Sequence, residues 1–297
     1  MWKIIEPPAD APYFKAHVAH ESLAAGELRI IAASRRGRSH EHAGSFRDGD
    51  YFIRHSSQSG WSVMLVADGA GSAKNSREGS RIATDTAGNC LFEQLQGDAG
   101  LTLKTRVLEW KEEDQRFIKE AMLRYFSQAI KLAVNRIENE AIQAEKPRKS
   151  YATTLLATLT FRHQDTLFAA SFWLGDGAIA AYGPRGKVRI LGLPDSGEYA
   201  GQTRFLDSDI ADDPAFGARI SIGKWHDVSH LLLMSDGITD PVFETDNGLH
   251  DGQKWDKLIA AITPSLAETE TASQQLAEWL TFFSPGNHDD RTIIVAW

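Results

Sequence analysis

The chain has 297 residues, of which 42% are hydrophobic, so it can bury a sizeable core in one large domain or two small ones. Its formal net charge of −8 disfavours a dedicated nucleic-acid binder and a polybasic membrane-surface protein. The single cysteine, Cys90, excludes an internal disulfide and a Cys/His zinc pattern.

Neither a targeting segment nor a membrane span is apparent in the sequence. Residues 1–12 lack the long apolar run that signal peptides carry, and no apolar stretch is long enough for a spanning helix. We therefore expect a cytoplasmic protein that binds neither nucleic acid nor membrane.

The first half of the chain alternates predicted strands with two predicted helices. Residues 28–34, 50–54 and 61–67 are short apolar runs of the kind that form strands. Residues 76–96 and 112–144 repeat apolar side chains at helical spacing, which predicts two helices with core-facing stripes.

The second half is rich in strands. Residues 151–161, 166–174 and 178–183 are separated by turns too short for crossover helices, so we expect antiparallel strands. Further along, the pattern predicts a strand at 230–235, helices near 253–263 and 266–282, and a strand at 292–297. Helices in two blocks among antiparallel strands indicate an α+β fold built in layers.

Five aspartates fall at the ends of these apolar strands. Asp68, Asp176 and Asp236 each end a strand and precede a glycine, whereas Asp48 and Asp290 stand just before strands. A carboxylate beside an apolar strand is costly unless it is paired or metal-bound. If the sheets stack, the strand ends converge, and a hard divalent cation such as Mg²⁺ or Mn²⁺ would relieve the repulsion. Five unrelated turns are the alternative, because Asp-Gly is a common turn pair.

Other phosphate-handling motifs each fail at a required residue. GAGSAK has Ala73 where a Walker loop requires glycine. MSDGITD has Met234 where phosphatases of the haloacid-dehalogenase type carry a nucleophilic aspartate. The chain also lacks a G-x-S-x-G nucleophile elbow. These motifs therefore supply no protein nucleophile.

Six short motifs, taken in order, resemble those of the metal-dependent protein phosphatase 2C family. They are RDG at 47–49, VADGAGS at 66–72, YATT at 151–154, WLGDGAIAAY at 173–182, LLLMSDGITD at 231–240 and DDRTIIV at 289–295. Their order and rough spacing hold over about residues 28–297. The resemblance implies a four-layer α-β-β-α sandwich with two central antiparallel sheets. It also implies one domain over 1–297, with an N-terminal extension at 1–27 and a substrate-selecting flap at 184–229.

The resemblance further implies a site for two Mn²⁺ or Mg²⁺ ions, with a third ion held more weakly. The implied ligands are the carboxylates of Asp48, Asp68, Asp236 and Asp290 and the carbonyl of Gly69, with Asp176 and Asp240 for the third ion. In the family, the paired ions make water reactive toward the phosphorus of phosphoserine or phosphothreonine. A phosphorylated protein substrate and a paired serine/threonine kinase follow as expected partners.

The chain departs from the family pattern where many relatives grip phosphate with an arginine. Three residues after Gly37 stands His40, with Arg36 and Arg38 nearby. His40 is a candidate for binding phosphate or for protonating the leaving oxygen, because histidine titrates near neutral pH. A surface or turn histidine is the alternative.

Two other departures leave further hypotheses open. The usual Asp-Asn pair is here Asp290-Arg291, which keeps the carboxylate and loses an amide. Beside Asp176, Gly177 and Ala178 replace a polar pair, so Asp176 is also readable as a turn residue. These changes keep open a non-catalytic relative that binds a partner or phosphoprotein. A phosphatase of a small phosphorylated metabolite would use the same metal chemistry.

Overall fold

The computed structural model describes residues 2–192, 194–195 and 203–297. The strands are β1 (Val18–Ala25), β2 (Leu28–Arg35), β3 (Asp50–His55), β4 (Ser62–Ala67), β5 (Leu155–His163), β6 (Thr166–Leu174), β7 (Ala178–Gly183), β8 (Lys187–Gly192), β9 (Ile220–Trp225), β10 (His230–Met234) and β11 (Arg291–Ala296). The α-helices are α1 (Arg38–Ala43), α2 (Ser76–Gln94), α3 (Gly97–Glu109), α4 (Glu112–Gln143), α5 (Asp236–Phe243), α6 (Gly252–Leu266) and α7 (Ala272–Trp279). Among the described residues, no helix combines the length and apolar character that crossing a membrane requires.

The strands form two sheets. The six-stranded sheet runs in the order β1-β2-β11-β10-β7-β8, and the five-stranded sheet in the order β3-β4-β5-β6-β9. All neighbouring strands in both sheets pair antiparallel. The predicted α+β class with antiparallel strands is therefore confirmed.

Both faces of each sheet are buried, which explains the nearly continuous apolar runs in the sequence. Successive side chains of a strand point to opposite faces. In β4, Val63 and Leu65 pack with the helices α2 to α4, while Met64 and Val66 pack against the other sheet. The six-stranded sheet is covered on its outer face by α5, α6 and α7. The layers are helix, sheet, sheet and helix, as the resemblance implied.

Three strands that the sequence did not predict lie at sheet edges. β1 lies within the segment 1–27, for which the sequence suggested an extension, and it pairs with β2 along its whole length. β8 and β9 lie within the predicted flap 184–229, and they form the edges of the two sheets. Edge strands are partly exposed, so they lack the apolar run of a central strand. Residues 193 and 196–202 of the flap lie outside the described residues.

Candidate metal centre

Acidic side chains gather at one end of the sandwich. Asp68 follows β4 and Asp48 precedes β3, its partner in the sheet. Asp236 follows β10, while Asp289 and Asp290 precede its partner β11. Antiparallel pairing places the end of one strand beside the start of the next, so each sheet contributes acids to the same edge. We call the space that Asp48, Asp68, Asp236 and Asp289 surround, together with Asp176 and Asp240, the acidic cleft.

The two sheets meet closely beneath the cleft. Ser34 of β2 and Thr292 of β11 point between the sheets, with their hydroxyl oxygens 2.7 Å apart. The Ser34 hydroxyl also donates to the carbonyl of Gly49, at 3.4 Å. These contacts connect the two sheets just below the acidic side chains.

Asp68 and Asp236 are partly buried acids at the centre of the group, one from each sheet. Burial and the charge of Asp236 raise the pKa of Asp68 well above its usual value. Burial and the charge of Asp176 likewise raise the pKa of Asp236. The Oδ1 atom of Asp236 is buried and has no hydrogen-bond partner among the described residues. Carboxylates that repel one another, and that include an oxygen atom without a hydrogen-bond partner, are available to bind a cation.

Asp236 and Asp240 belong to the same helix face. Asp236 is the first residue of α5, where a negative charge is favourable at the positive end of the helix dipole. Asp240 follows four residues later, and residues four apart are neighbours on a helix surface. Burial and the charge of Asp176 raise the pKa of Asp240 as well. Asp176, which accepts a hydrogen bond from the Thr203 hydroxyl, therefore lies near both residues of α5.

The backbone before β11 is held between two glycines. A Cβ atom on Gly37 would lie 2.3 Å from the carbonyl carbon of Asp289, and one on Gly237 would lie 1.9 Å from the carbonyl oxygen of Asp290. A side chain at either glycine would displace this backbone. The glycine after Asp236 is therefore required for packing around the cleft.

Asp290 is bound by protein groups rather than facing the open cleft. Its side chain is fully buried, and its carboxylate accepts hydrogen bonds from the backbone N–H groups of Gly37 and Asp48, both at 2.5 Å. Its Oδ2 atom lies 2.9 Å from Nδ1 of His40. Burial alone would raise the pKa of Asp290, but His40 and the two backbone donors hold it below the usual value. Asp290 thus joins α1, the Asp48 loop and β11.

Asp289, which the sequence analysis did not select, faces the other acids. Its charge raises the pKa of both Asp68 and Asp236, and its own pKa is raised by burial and by Asp290. The family motif contained a usable signal. In DN-x-T the acid stands three residues before the threonine, and Asp289 stands three residues before Thr292.

His40 lies among the carboxylates, on α1. Its side chain is 14% exposed, and Nε2 lies 3.9 Å from Oδ2 of Asp48 and 4.0 Å from Oδ1 of Asp289. Burial lowers the pKa of His40, but the charges of Asp290, Asp48 and Asp289 together raise it to about 9. Asp48 has its own pKa raised to about 6 by burial and by Asp290. His40 thus places a basic imidazole among the carboxylates of the cleft.

The other predicted phosphate-binding residues lie elsewhere. The Arg36 guanidinium is buried and donates to the backbone carbonyls of Ile5 and His40. Arg38 is exposed, and its guanidinium lies 5.5 Å from the centre of the Phe283 ring. Neither side chain forms an ion pair with a cleft carboxylate among the described residues.

Gly69 and a buried lysine complete the surroundings. Gly69 forms a β-bridge with Thr153, which holds the end of β4 beside the YATT segment. Lys15, only 7% exposed, donates to the carbonyls of Gly49 and Arg77 and pairs with Asp50 at 2.9 Å. The segment before β1 therefore stabilises the Asp48 loop from behind. No sequence pattern marked Lys15 for this position.

The donor set fits a hard divalent cation. The cleft offers buried carboxylate oxygens that raise one another's pKa values, and Oδ1 of Asp236 has no partner among the described residues. Oxygen ligands of this kind suit Mg²⁺ and Mn²⁺ better than Zn²⁺. The clustering also disfavours five unrelated turns as the explanation of the strand-end aspartates.

The fold and the cleft define a metal-dependent phosphatase of the two-sheet sandwich class. The family model described as protein phosphatase 2C matches residues 36–281. No curated protein matches this chain significantly in sequence. The family model covers most of the chain, which therefore belongs to the protein phosphatase 2C family. The predicted family and enzyme class, a protein serine/threonine phosphatase, are thereby confirmed.

Solved bacterial phosphatases share the fold at low sequence identity. The serine/threonine phosphatase of S. agalactiae is 14% identical, with a TM-score of 0.54, and the alignment covers 91% of this chain and 99% of that one. The Mycobacterium tuberculosis phosphatase PstP/Ppp is 15% identical, with a TM-score of 0.53 and coverage of 91% and 97%. The catalytic domain of PstP in complex with two manganese ions is also 15% identical, with a TM-score of 0.51 and the same coverage. These likenesses confirm the predicted fold class.

Proposed function

We propose that the acidic cleft is the active site, where this chain hydrolyses phosphoserine or phosphothreonine in proteins with Mn²⁺ or Mg²⁺ as cofactor. The observation that carries the proposal is the convergence of acids from both sheets, including the buried and unpartnered Oδ1 of Asp236. The family match and the PstP structure with two manganese ions support the same metal chemistry.

The ligand set follows from which carboxylates face one another. We assign the two main cations to Asp48, Asp68, Asp236, Asp289 and the carbonyl of Gly69, and a weaker third cation to Asp176 and Asp240. When bound, such cations activate water and offset charge on the phosphoryl oxygens. Asp290 positions Asp48 and His40, because its two oxygens already bind Gly37, Asp48 and His40.

His40 supplies the positive charge that an arginine supplies in many relatives. Asp290 forms an ion pair with the imidazole at Nδ1, while Nε2 lies on the side of Asp48 and Asp289, where it would carry a proton when the ring is charged. A proton held there can be donated to a phosphoryl oxygen or to the leaving oxygen of serine or threonine. His40 is therefore assigned to substrate binding or proton donation.

The expected partners follow from the class of enzyme. A protein phosphatase acts on phosphorylated proteins, so a serine/threonine kinase that makes the substrate is the expected functional partner. The cytoplasmic location stays a prediction from the sequence. The non-catalytic and small-metabolite alternatives gain no support from the described residues.

The substitution Asp236→Asn tests the active site. We expect hydrolysis of a small aryl phosphate with Mn²⁺ to fall by a factor on the order of 10²–10³, because a principal charge facing the reaction is removed. Asp165→Asn is the matched control, since Asp165 is exposed in the turn between β5 and β6, at the opposite end of the sheet. Wild-type protein without Mn²⁺-dependent turnover, or an Asp236→Asn variant with full activity, would contradict the proposal.

A further inference from the structure

A cavity of about 190 Å³ lies next to the acidic cleft and is lined by four arginines. Its arginines are Arg35, Arg36, Arg38 and Arg291. Two acids also line it, Glu41 and Asp289, and Asp289 is shared with the cleft. A water molecule occupies about 30 Å³ in the liquid, so a carboxylate or phosphoryl group fits the volume. We call this cavity the arginine pocket.

The arginine pocket and the acidic cleft are on opposite faces of the six-stranded sheet. Arg35 and Arg291 are paired across β2 and β11, and they continue the rows of Ile31 and Ile293 that face the outer helices. The cleft instead opens where the two sheets meet, above Ser34 and Thr292. A group held in the pocket is therefore distinct from a phosphate held at the cleft.

The guanidinium groups of the pocket have few negative partners. Arg291, which is 8% exposed, donates to the carbonyls of Gly237, Leu280 and Phe282 and to the Ser284 hydroxyl. Burial and the nearby charge of Arg38 lower the pKa of Arg291 to about 10. Among the described residues, none of the four arginines forms an ion pair with a carboxylate. The pocket therefore concentrates positive charge in a protein whose net charge is −8.

One of these arginines also has an unused donor. Arg36 is 4% exposed, and its Nε atom is buried without a hydrogen-bond partner among the described residues. An unpaired buried donor is destabilising. An anion that enters the pocket would reduce the repulsion between the Arg38 and Arg291 guanidinium groups.

The surroundings of the pocket suit an anion that is carried by a polypeptide. Phe283 lies beside Arg38 and is 67% exposed. Trp2 is 49% exposed and packs edge-on against His288, which lines the pocket. Exposed aromatic rings around a charged pocket provide apolar contact area that a free inorganic ion cannot use.

We propose that the arginine pocket is a specificity subsite for an acidic group on the phosphoprotein substrate, next to the phosphorylated residue. The subsite would bind a carboxylate or a second phosphate through the guanidinium groups while the scissile phosphate occupies the cleft. This inference rests on the proposed function of the cleft. It predicts that the enzyme prefers phosphorylation sites with acidic neighbours.

A pair of phosphothreonine peptides tests the subsite. One peptide carries glutamates on both sides of the phosphothreonine, and the other carries glutamines at the same positions. We expect the wild type to favour the glutamate peptide in kcat/KM by roughly tenfold, as for a charge-assisted hydrogen bond. Arg38→Gln should bring the ratio close to one, and Arg38→Glu should reverse it. Arg136→Gln, at an exposed arginine of α4, should keep the wild-type ratio.

The outcomes separate failure of the subsite from failure of the active site. If both peptides and an aryl phosphate are hydrolysed with Mn²⁺ but the ratio is one in the wild type, the subsite is overturned and the active site stands. If nothing is hydrolysed, the proposed function itself fails. Addition of inorganic sulfate tests whether the pocket binds free anions. If it changes turnover of the glutamine peptide in the wild type but not in Arg38→Gln, and the peptide ratio is one, the pocket binds free anions instead.

Discussion

The acidic cleft and the arginine pocket are neighbouring regions of opposite charge that share Asp289. In the cleft, buried carboxylates raise one another's pKa values. In the pocket, guanidinium groups donate to backbone carbonyls and lack acidic partners among the described residues. The net charge of −8 averages over both and reveals neither. Charge left uncompensated within one small volume indicates a ligand of the opposite sign, whatever the overall composition.

The two regions remain separate because a sheet lies between them. Side chains alternate between faces along β2 and β11. Ser34 and Thr292 point toward the other sheet and the cleft, whereas Arg35 and Arg291 point toward α7 and the pocket. Neighbouring residues of β2 and of β11 therefore line different volumes.

The largest expected effect is a loss of stability when Asp290 is substituted but not when its neighbour Asp289 is. Both residues lie at the border of the two regions. Asp290→Ala should lower the free energy of unfolding by about 3–5 kcal/mol, because it leaves His40 buried without its partner and two backbone donors unpaired. Asp289→Asn should leave stability in EDTA unchanged or slightly higher, because it removes a charge that repels Asp68 and Asp236. Thermal unfolding and Mn²⁺-dependent aryl phosphatase activity measure the two effects.

Asp289→Asn should instead lose activity by a factor on the order of 10². Equal losses of stability in both variants would show that the two acids have similar structural roles. Full activity in Asp289→Asn would exclude Asp289 as a metal ligand and contradict the ligand set assigned to the cleft.

A second, smaller effect tests whether the cleft needs a cation. At a concentration a hundredfold above its dissociation constant, Mn²⁺ should stabilise the protein by about 2.7 kcal/mol per site. The thermal unfolding midpoint in MnCl₂ should exceed that in NaCl of equal ionic strength, and Asp236→Asn should lose most of the difference. An equal shift in Asp236→Asn would place the binding outside the cleft.

The smallest expected effect is a pH dependence of the folding stability that arises outside both charged regions. His230, at the far end of β10 from Asp236, has its pKa lowered to about 4 by burial and then by Arg162. An unfolded histidine titrates near 6.5, so the unfolded state binds the proton first as the pH falls, and stability is lost below about pH 6.5.

This loss should reach about 1–2 kcal/mol at pH 5. His230→Gln should remove that part of the pH dependence in chemical denaturation, whereas His226→Gln, at an exposed loop position, should not. If the pH dependence is the same in both variants, it arises from other groups.

The central strands and the long helices were predictable because their side chains repeat with the period of the element. The structure has β6 at Thr166–Leu174 and β7 at Ala178–Gly183, with the predicted bounds. β1, β8 and β9 lacked a sufficient pattern because each has only one neighbouring strand and mixed exposure. The short helix α1, which carries His40, has no buried residue and therefore no apolar stripe to detect.

The site was predictable in composition but not in detail. Strand-end aspartates and six ordered motifs indicated an acidic metal site and the family. They did not show that Asp290 would bind Gly37, Asp48 and His40 while its neighbour Asp289 faced the cleft. Adjacent residues before a strand point in different directions, and which direction is buried depends on partners from distant parts of the chain.

The family, the layered fold and the kind of chemistry were readable from the amino-acid order, because apolar periodicity and short motifs are local properties of the chain. The folded chain alone shows which acids meet, where Lys15 supports the Asp48 loop, and that four arginines form a pocket beside the cleft. Those facts depend on contacts between segments far apart in sequence. Charges interact through space, so their pairing is settled only when the two sheets and the outer helices have packed.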